Sequence, residues 1–316
     1  GNSSTLAYTN AGGLATNTLQ NVIFTNVGNN VTFAYSANNG SINVNDTYLT
    51  DFLINSGGVT TGQNIVPFIA ENGVLSNNVT DVTVGTTGVP GLVMNTKVGL
   101  QTFSENSAPV GADNTKTATW NYGTITMTGR AADGAIAMYS KYGKVSNSIN
   151  GKVNTLDKNS VGLYGLDETQ VINSGTINIT GKNVVLFNLV NSSFTNNLAV
   201  NAAPGSTYVV GNLSNAVYTH SGTNTLLSNS VLLNGNNSAM LIDSTSNISS
   251  SSTGVVVMLL DGRYGLPFPA GYSADGENAG TIVLGNDSAA VYGKNGTRLK
   301  NSGSITLGSN SVGVYN

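Results

Sequence analysis

Short runs of alternating apolar and polar residues recur along the chain. GTITM (123–127), GTINI (175–179), GTIVL (280–284) and GSITL (303–307) are copies of one strand, with GSINV (40–44) as an early version. An alternation of period two puts Ile125 and Met127, Ile177 and Ile179, Ile282 and Leu284, and Ile305 and Leu307 on one face. A second strand type lies half a repeat out of step. It reads AIAMY (135–139), SVGLY (160–164), NVVLF (183–187), SAMLI (238–242), SAAVY (288–292) and SVGVY (311–315). Its pattern turns Val161 and Leu163 inward and Ser160 and Gly162 outward. It also aligns Tyr139, Tyr164 and Phe187, one repeat apart, with Ile242, Tyr292 and Tyr315 further on.

Strands this short, separated by turns and recurring at about every 24 residues, predict an all-β fold. The architecture expected is a right-handed parallel β-helix, a solenoid with irregular loop insertions. One repeat cannot bury its apolar face alone, and stacking makes a continuous core. A β-propeller is the rival, but its blades need about 40 residues each. Asn and Gly fit the corners because they enter the left-handed region most cheaply. NSG at 173–175 and 301–303 is such a corner, where Asn173 would hydrogen-bond to its equivalents along the axis.

The pattern divides the chain into an irregular N-terminal part, 1–120, made of degenerate rungs, and a regular β-helix over 121–316. Within the latter, 243–278 reads as a loop insertion; along the whole chain the rhythm also breaks at 86–120 and 191–232. The chain opens on GNSS and stops one residue after SVGVY. We therefore expect a fragment, with signal and anchor outside it. The longest apolar run, VVVMLL (255–260), reads as a buried strand and is too short to cross a bilayer.

Composition narrows the function. Charged residues are 9% of the chain, with 12 Lys plus Arg against 15 Asp plus Glu. That is far below the roughly 25% of ordinary domains, and it lacks the basic stripe that nucleic-acid binding requires. Hydrophobic residues are 39%, enough to build a core. With no cysteine, disulfides and Cys-ligated metals are excluded.

The unit NSGTI-x-x-x-G-x-NSVG-x-Y has copies at 173–187, 278–292 and 301–315. It resembles the passenger region of large type V autotransporter adhesins, most closely those of fusobacteria. The resemblance covers about half the chain and is more specific for fold than for function. It implies a cell-surface passenger, anchored in the outer membrane by a C-terminal β-barrel outside this chain. It also implies attachment to host cells or other bacteria, through a protein receptor or a glycan.

Other chemistry is thinly signalled. Polysaccharide-degrading β-helices would need carboxylates clustered across the bond to be cut. Here Asp133, Asp157, Asp167 and Glu168 come nearest to clustering, with Asp133 and Asp157 one repeat apart. A lone His220 makes no zinc cluster, and DGENAG (275–280) lacks the ligand spacing of a calcium loop. We expect no catalytic, cofactor or metal site. The tyrosine series reads either as packing or as a platform for sugar rings. Loops on a repetitive wall are the better recognition candidates. Arg263, Tyr264, Phe268 and Tyr272 form one set, as anchors for a partner or as pins holding the loop. Lys116 and Trp120, with Tyr122, form a second, in which Trp120 either recognises a partner or plugs the helix end. One chain closes each rung, so a monomer is expected.

Overall fold

The computed structural model describes residues 4–10, 16–19, 31–37, 41–44, 53–54, 66, 68–78, 81–84, 87–90, 92–94, 98–104, 117–127, 134–155, 158–196, 199–203, 208–214, 216–220, 225–226, 231–236, 239–251, 253–261 and 274–316. The fold is all-β, and every described sheet is parallel except one hairpin, Asp81–Val84 with Thr87–Pro90. A twelve-stranded sheet runs from Ser4–Asn10 to Val312–Tyr315. An eleven-stranded sheet runs from Thr16–Leu19 to Leu299–Asn301. The third side is a six-stranded sheet ending at Ala199–Ala202, followed by a four-stranded sheet that begins at Thr225–Leu226.

The chain visits these sides in fixed rotation. Ile136–Lys141 lies in the twelve-stranded sheet, Lys144–Asn147 in the eleven-stranded one and Lys152–Thr155 in the third. Val161–Leu166, Gln170–Asn173 and Thr176–Ile179 then repeat the circuit. Each strand pairs in register with its counterpart one circuit away, as Tyr139 does with Tyr164 and Asn147 with Asn173. Inward residues from all sides form one apolar core that includes Leu75, Met138, Leu163, Ile177, Phe187, Tyr218, Ile242 and Ile282.

The inward series Ile125, Met127, Ile177, Ile179, Ile282 and Leu284 is buried as its alternation requires. Ile305 and Leu307, in the last strand of their sheet, are partly buried against the same core. Asparagine takes the corners: Asn72, Asn159, Asn183, Asn191, Asn295 and Asn310 all have φ between 48° and 59°. Tyr142, at φ 53°, holds the same conformation without the small polar side chain that suits it.

The structure corrects the alignment at several points. The described circuits from Val31 to Leu307 contain three strand types, not two; the additional one ends on asparagine in ATWN, KVSN and QVIN. Phe187 is displaced by one residue from the tyrosine column. It pairs with Leu163 and is buried on Phe194, their centroids 4.0 Å apart, while Asn188 pairs with Tyr164. The reason is an inward pair, Gly162–Leu163, that breaks strict alternation, and an apolar ring gains by occupying its second place. The same irregularity reverses two further expectations, since Ser160 is buried and Val161 half-buried. Ile242 lies in the eleven-stranded sheet, between His220 and Asn278. The twelve-stranded-sheet strand of that circuit is Val231–Asn236, where Asn234 pairs with Asn212 and Leu259. Ser41–Val44 belongs to the eleven-stranded sheet, so GSINV is not a copy of GTITM.

Candidate functional site

Two kinds of side-chain column run along the stack. The first is internal. Asn77 Nδ2 donates to Asn121 Oδ1, Asn121 to Asn147 and Asn147 to Asn173, each at 2.8 Å. All four side chains are fully buried. The column resumes where Asn278 donates to Asn301, again at 2.8 Å. An amide has donors on one nitrogen and an acceptor oxygen, so identical residues one strand apart satisfy one another. This is the ladder expected at Asn173, and its role is structural.

The second column is outward. Register pairs connect Tyr8, Tyr35, Ile69, Gln101, Tyr139, Tyr164, Asn188, Asn212, Asn234, Leu259, Tyr292 and Tyr315 without a gap. Its tyrosines contact in pairs. Tyr8 stacks on Tyr35 with centroids 5.7 Å apart, Tyr292 on Tyr315 at 4.9 Å, and Tyr139 meets Tyr164 edge-on at 5.3 Å. Asn212 donates to Asn188 at 2.9 Å. Burial, with Tyr164 and Asp167 beside it, pushes the Tyr139 hydroxyl up to about 12, so Tyr139 is a neutral phenol at physiological pH. Pairwise contact fits the packing reading of the tyrosines.

Trp120 lies on the outward side of the eleven-stranded sheet, on the strand Ala118–Asn121. Its neighbours Thr119 and Asn121 point inward and are buried, while Trp120 is half-buried, so it does not plug the core. Its register partners are Ser76 and Ser146, which leave the indole room to lie along the wall. Tyr122 projects from the next corner, 42% exposed, its ring 9° from the indole plane and 6.0 Å away. From the following circuit, Lys144 brings its ammonium 4.6 Å from the indole centroid. Sequence reading misses Lys144, because only the register places it beside Trp120.

Both margins of this aromatic pair depart from the plain corner. Between Asn121 and Thr124 the chain turns with Tyr122 and Gly123 alone. One circuit earlier the same corner carries the hairpin, whose second strand packs against Thr124–Met127. One circuit later it spans Ser148 to Gly151, with the Ser148 N–H donating to Asn121 O at 2.9 Å and Ile149 78% exposed.

Arg263, Tyr264, Phe268, Tyr272 and Lys116 lie outside the described residues. Their strand anchors do not. Residues 104–117 join Val98–Phe103 to Ala118–Asn121, and 262–275 join Val256–Asp261 to Gly276–Asn278. Both therefore span the corner between the twelve- and eleven-stranded sheets, six circuits apart. At about 4.8 Å per strand, that is roughly 30 Å.

Several of the described acids have structural partners. Asp167 lies 3.7 Å from Lys141 and accepts from Asn191 at 2.9 Å. Glu71 accepts from the Tyr35 hydroxyl at 2.6 Å. In DGENAG, Asp275 accepts from the Arg298 N–H at 2.9 Å and Glu277 pairs with Lys300 at 2.7 Å. Asp133 and Asp157 lie outside the described residues, and His220 is placed only by register, between Asn196 and Ile242. Among the described residues, no three of His, Cys, Asp and Glu come together in a metal-binding group. Comparison with known proteins returns nothing similar: no family model, no curated protein and no solved structure matches this chain.

Proposed function

We propose that the chain is a right-handed parallel β-helix belonging to the passenger of a type V autotransporter adhesin of fusobacterial type. On this reading it stands on the cell surface, outside the outer membrane, and attaches the bacterium to host cells or other bacteria. The partner is a surface protein or a glycan, and the chain performs no catalysis. The observation that carries the reading is the fixed rotation through three sides with one residue column unbroken across twelve strands. Such stacking propagates a rigid wall over distance, and a wall of low charge gives recognition over to groups held at its corners. In support, the insertions at 104–117 and 262–275 leave from a single edge.

Saturable binding of the purified chain to epithelial and bacterial cells, measured by flow cytometry, tests attachment. The expected result is binding that is lost when 262–273 becomes a short Gly-Ser turn, or when Trp120 and Tyr122 become alanine. Absence of saturable binding to any cell would defeat the reading for this stretch of chain. Handedness is tested by an experimental structure.

A further inference from the structure

We propose that Trp120, Tyr122 and Lys144 form a binding site for a carboxylate-bearing sugar. The inference deepens the attachment reading, on which it rests, by naming a ligand class for one place on the wall.

Three observations converge there. The first is shape. On the outward side of one strand and its following corner, Tyr122 stacks on Trp120, 9° from parallel, and presents its own ring, 42% exposed, to solvent. A pyranose presents C–H bonds on its flat faces, and aromatic rings of this size are rigid, amphipathic surfaces for such contacts. The second is enclosure. The hairpin roots one circuit before Tyr122 and the Ile149 turn one circuit after it, so the roots stand about 10 Å apart. A single ring resting on Tyr122 would lie between these roots, with the exposed Ile149 on the later one.

The third is charge. The Lys144 ammonium sits over the indole, and no carboxylate forms an ion pair with it among the described residues. In a chain with only 12 Lys and Arg, this is a cation held against an aromatic ring with no acidic partner among the described residues. It supplies three donors beside the bound ring, where a sugar carboxylate would accept charge-assisted hydrogen bonds. An acidic peptide satisfies the charge but not the shape: peptide anchors bury in closed pockets, whereas Tyr122 is 42% exposed at an open corner.

The chain contains a single tryptophan, so indole fluorescence reports this site directly. Sialyllactose and a glucuronate disaccharide are titrated, with lactose as the neutral control and an Asp-Glu peptide as the protein-like control. We expect a saturable change with at least one acidic sugar and a response to lactose weaker by about tenfold, the scale of one charge-assisted contact. Lys144→Gln should abolish that preference, and Tyr122→Ser should weaken both sugars, with far-ultraviolet circular dichroism unchanged in each. Equal response to lactose, saturation by the peptide alone, or no response to either acidic sugar would overturn the proposal. Cell attachment that survives Trp120→Ala with Tyr122→Ala refutes this site alone. Sugar titration without cell attachment refutes the attachment reading alone.

Discussion

Replacing Asn147 with alanine removes the middle of the internal ladder. Asn147 accepts from Asn121 and donates to Asn173, both at 2.8 Å, in a position with no exposure. Each bond contributes about 1 kcal/mol net, and the loss of the Asn147 donor to the buried Asn173 oxygen costs about 1 kcal/mol more. Asn121 retains part of its bonding, since its Nδ2 also reaches Lys152 O at 3.2 Å. The expected destabilisation is about 3 kcal/mol. Stacked repeats unfold in parts, so a global two-state measurement would blur this figure. Trp120 supplies a local probe, because it immediately precedes Asn121. Urea unfolding followed by its fluorescence should shift its midpoint down by about 1 M, taking m as about 3 kcal/mol per molar. The control is Asn178→Ala on the half-buried outer face, where Asn178 donates to Asn154 at 2.7 Å and water can replace the partner. That change should cost about 0.5 kcal/mol. Equal shifts for the two variants would refute the claim that burial gives the inner ladder its strength.

Tyr139 titrates near 12 in the folded chain against about 10 when unfolded. The unfolded state therefore loses its proton first, so stability is intact below about pH 10 and declines as pH rises toward 12. Tyr139→Phe should flatten that decline in alkaline unfolding curves, and tyrosinate absorbance should show one phenol ionising late. Gly175→Ala would drive a Cβ into the carbonyl oxygens of Gly151 and Ser148 and against Asn147 Nδ2. Two of those atoms are backbone, so local unfolding should become easier by about 3 kcal/mol, read as faster amide exchange at 147–151 and 173–176. Tyr142→Asn should stabilise its corner by up to about 1 kcal/mol, because asparagine holds left-handed φ more cheaply than tyrosine. The lost contact of Lys141 with the Tyr142 ring offsets part of the gain, and a lowered midpoint would refute the strain argument.

Alternation over four residues is a strong signal when one face is buried, and it places Ile177, Ile179, Ile282 and Leu284 correctly. Repetition of NSG likewise exposes the Asn173 ladder. What sequence does not resolve is register. Phe187 and Tyr164 look equivalent in a strand ending on an aromatic, yet one ring is apolar enough for the core and the other keeps its hydroxyl outside. SAMLI resembles SVGLY, but Ile242 occupies the ladder column of another sheet, where an apolar side chain substitutes for an amide. The third strand type is hard to see because ATWN, KVSN and QVIN share little beyond a final asparagine. That asparagine, recurring evenly at Asn121, Asn147 and Asn173, is the available signal.

The corners explain why the platform at Trp120 is only half legible. A repeating wall constrains its inward residues and its ladder positions, since each must match the strands above and below. The corner between the twelve- and eleven-stranded sheets is not held to one length. The turn from the twelve- to the eleven-stranded sheet takes only Asn72 and Gly73 in one circuit, and only Tyr142 and Gly143 in another. Yet the whole of 104–117 separates Phe103 from Ala118, and the whole of 262–275 separates Asp261 from Gly276. Added chain at a corner leaves the pairing of the flanking strands intact, as Trp120 still pairs with Ser76 and Ser146 after such an addition. Change can therefore accumulate there without loss of fold. A side chain one position from a buried asparagine, such as Trp120, is held by the ladder beneath it while facing solvent. In the proposed site, rigidity comes from Asn121 and specificity from Trp120, Tyr122 and Lys144, a division by which a monotonous wall would present a particular ligand site.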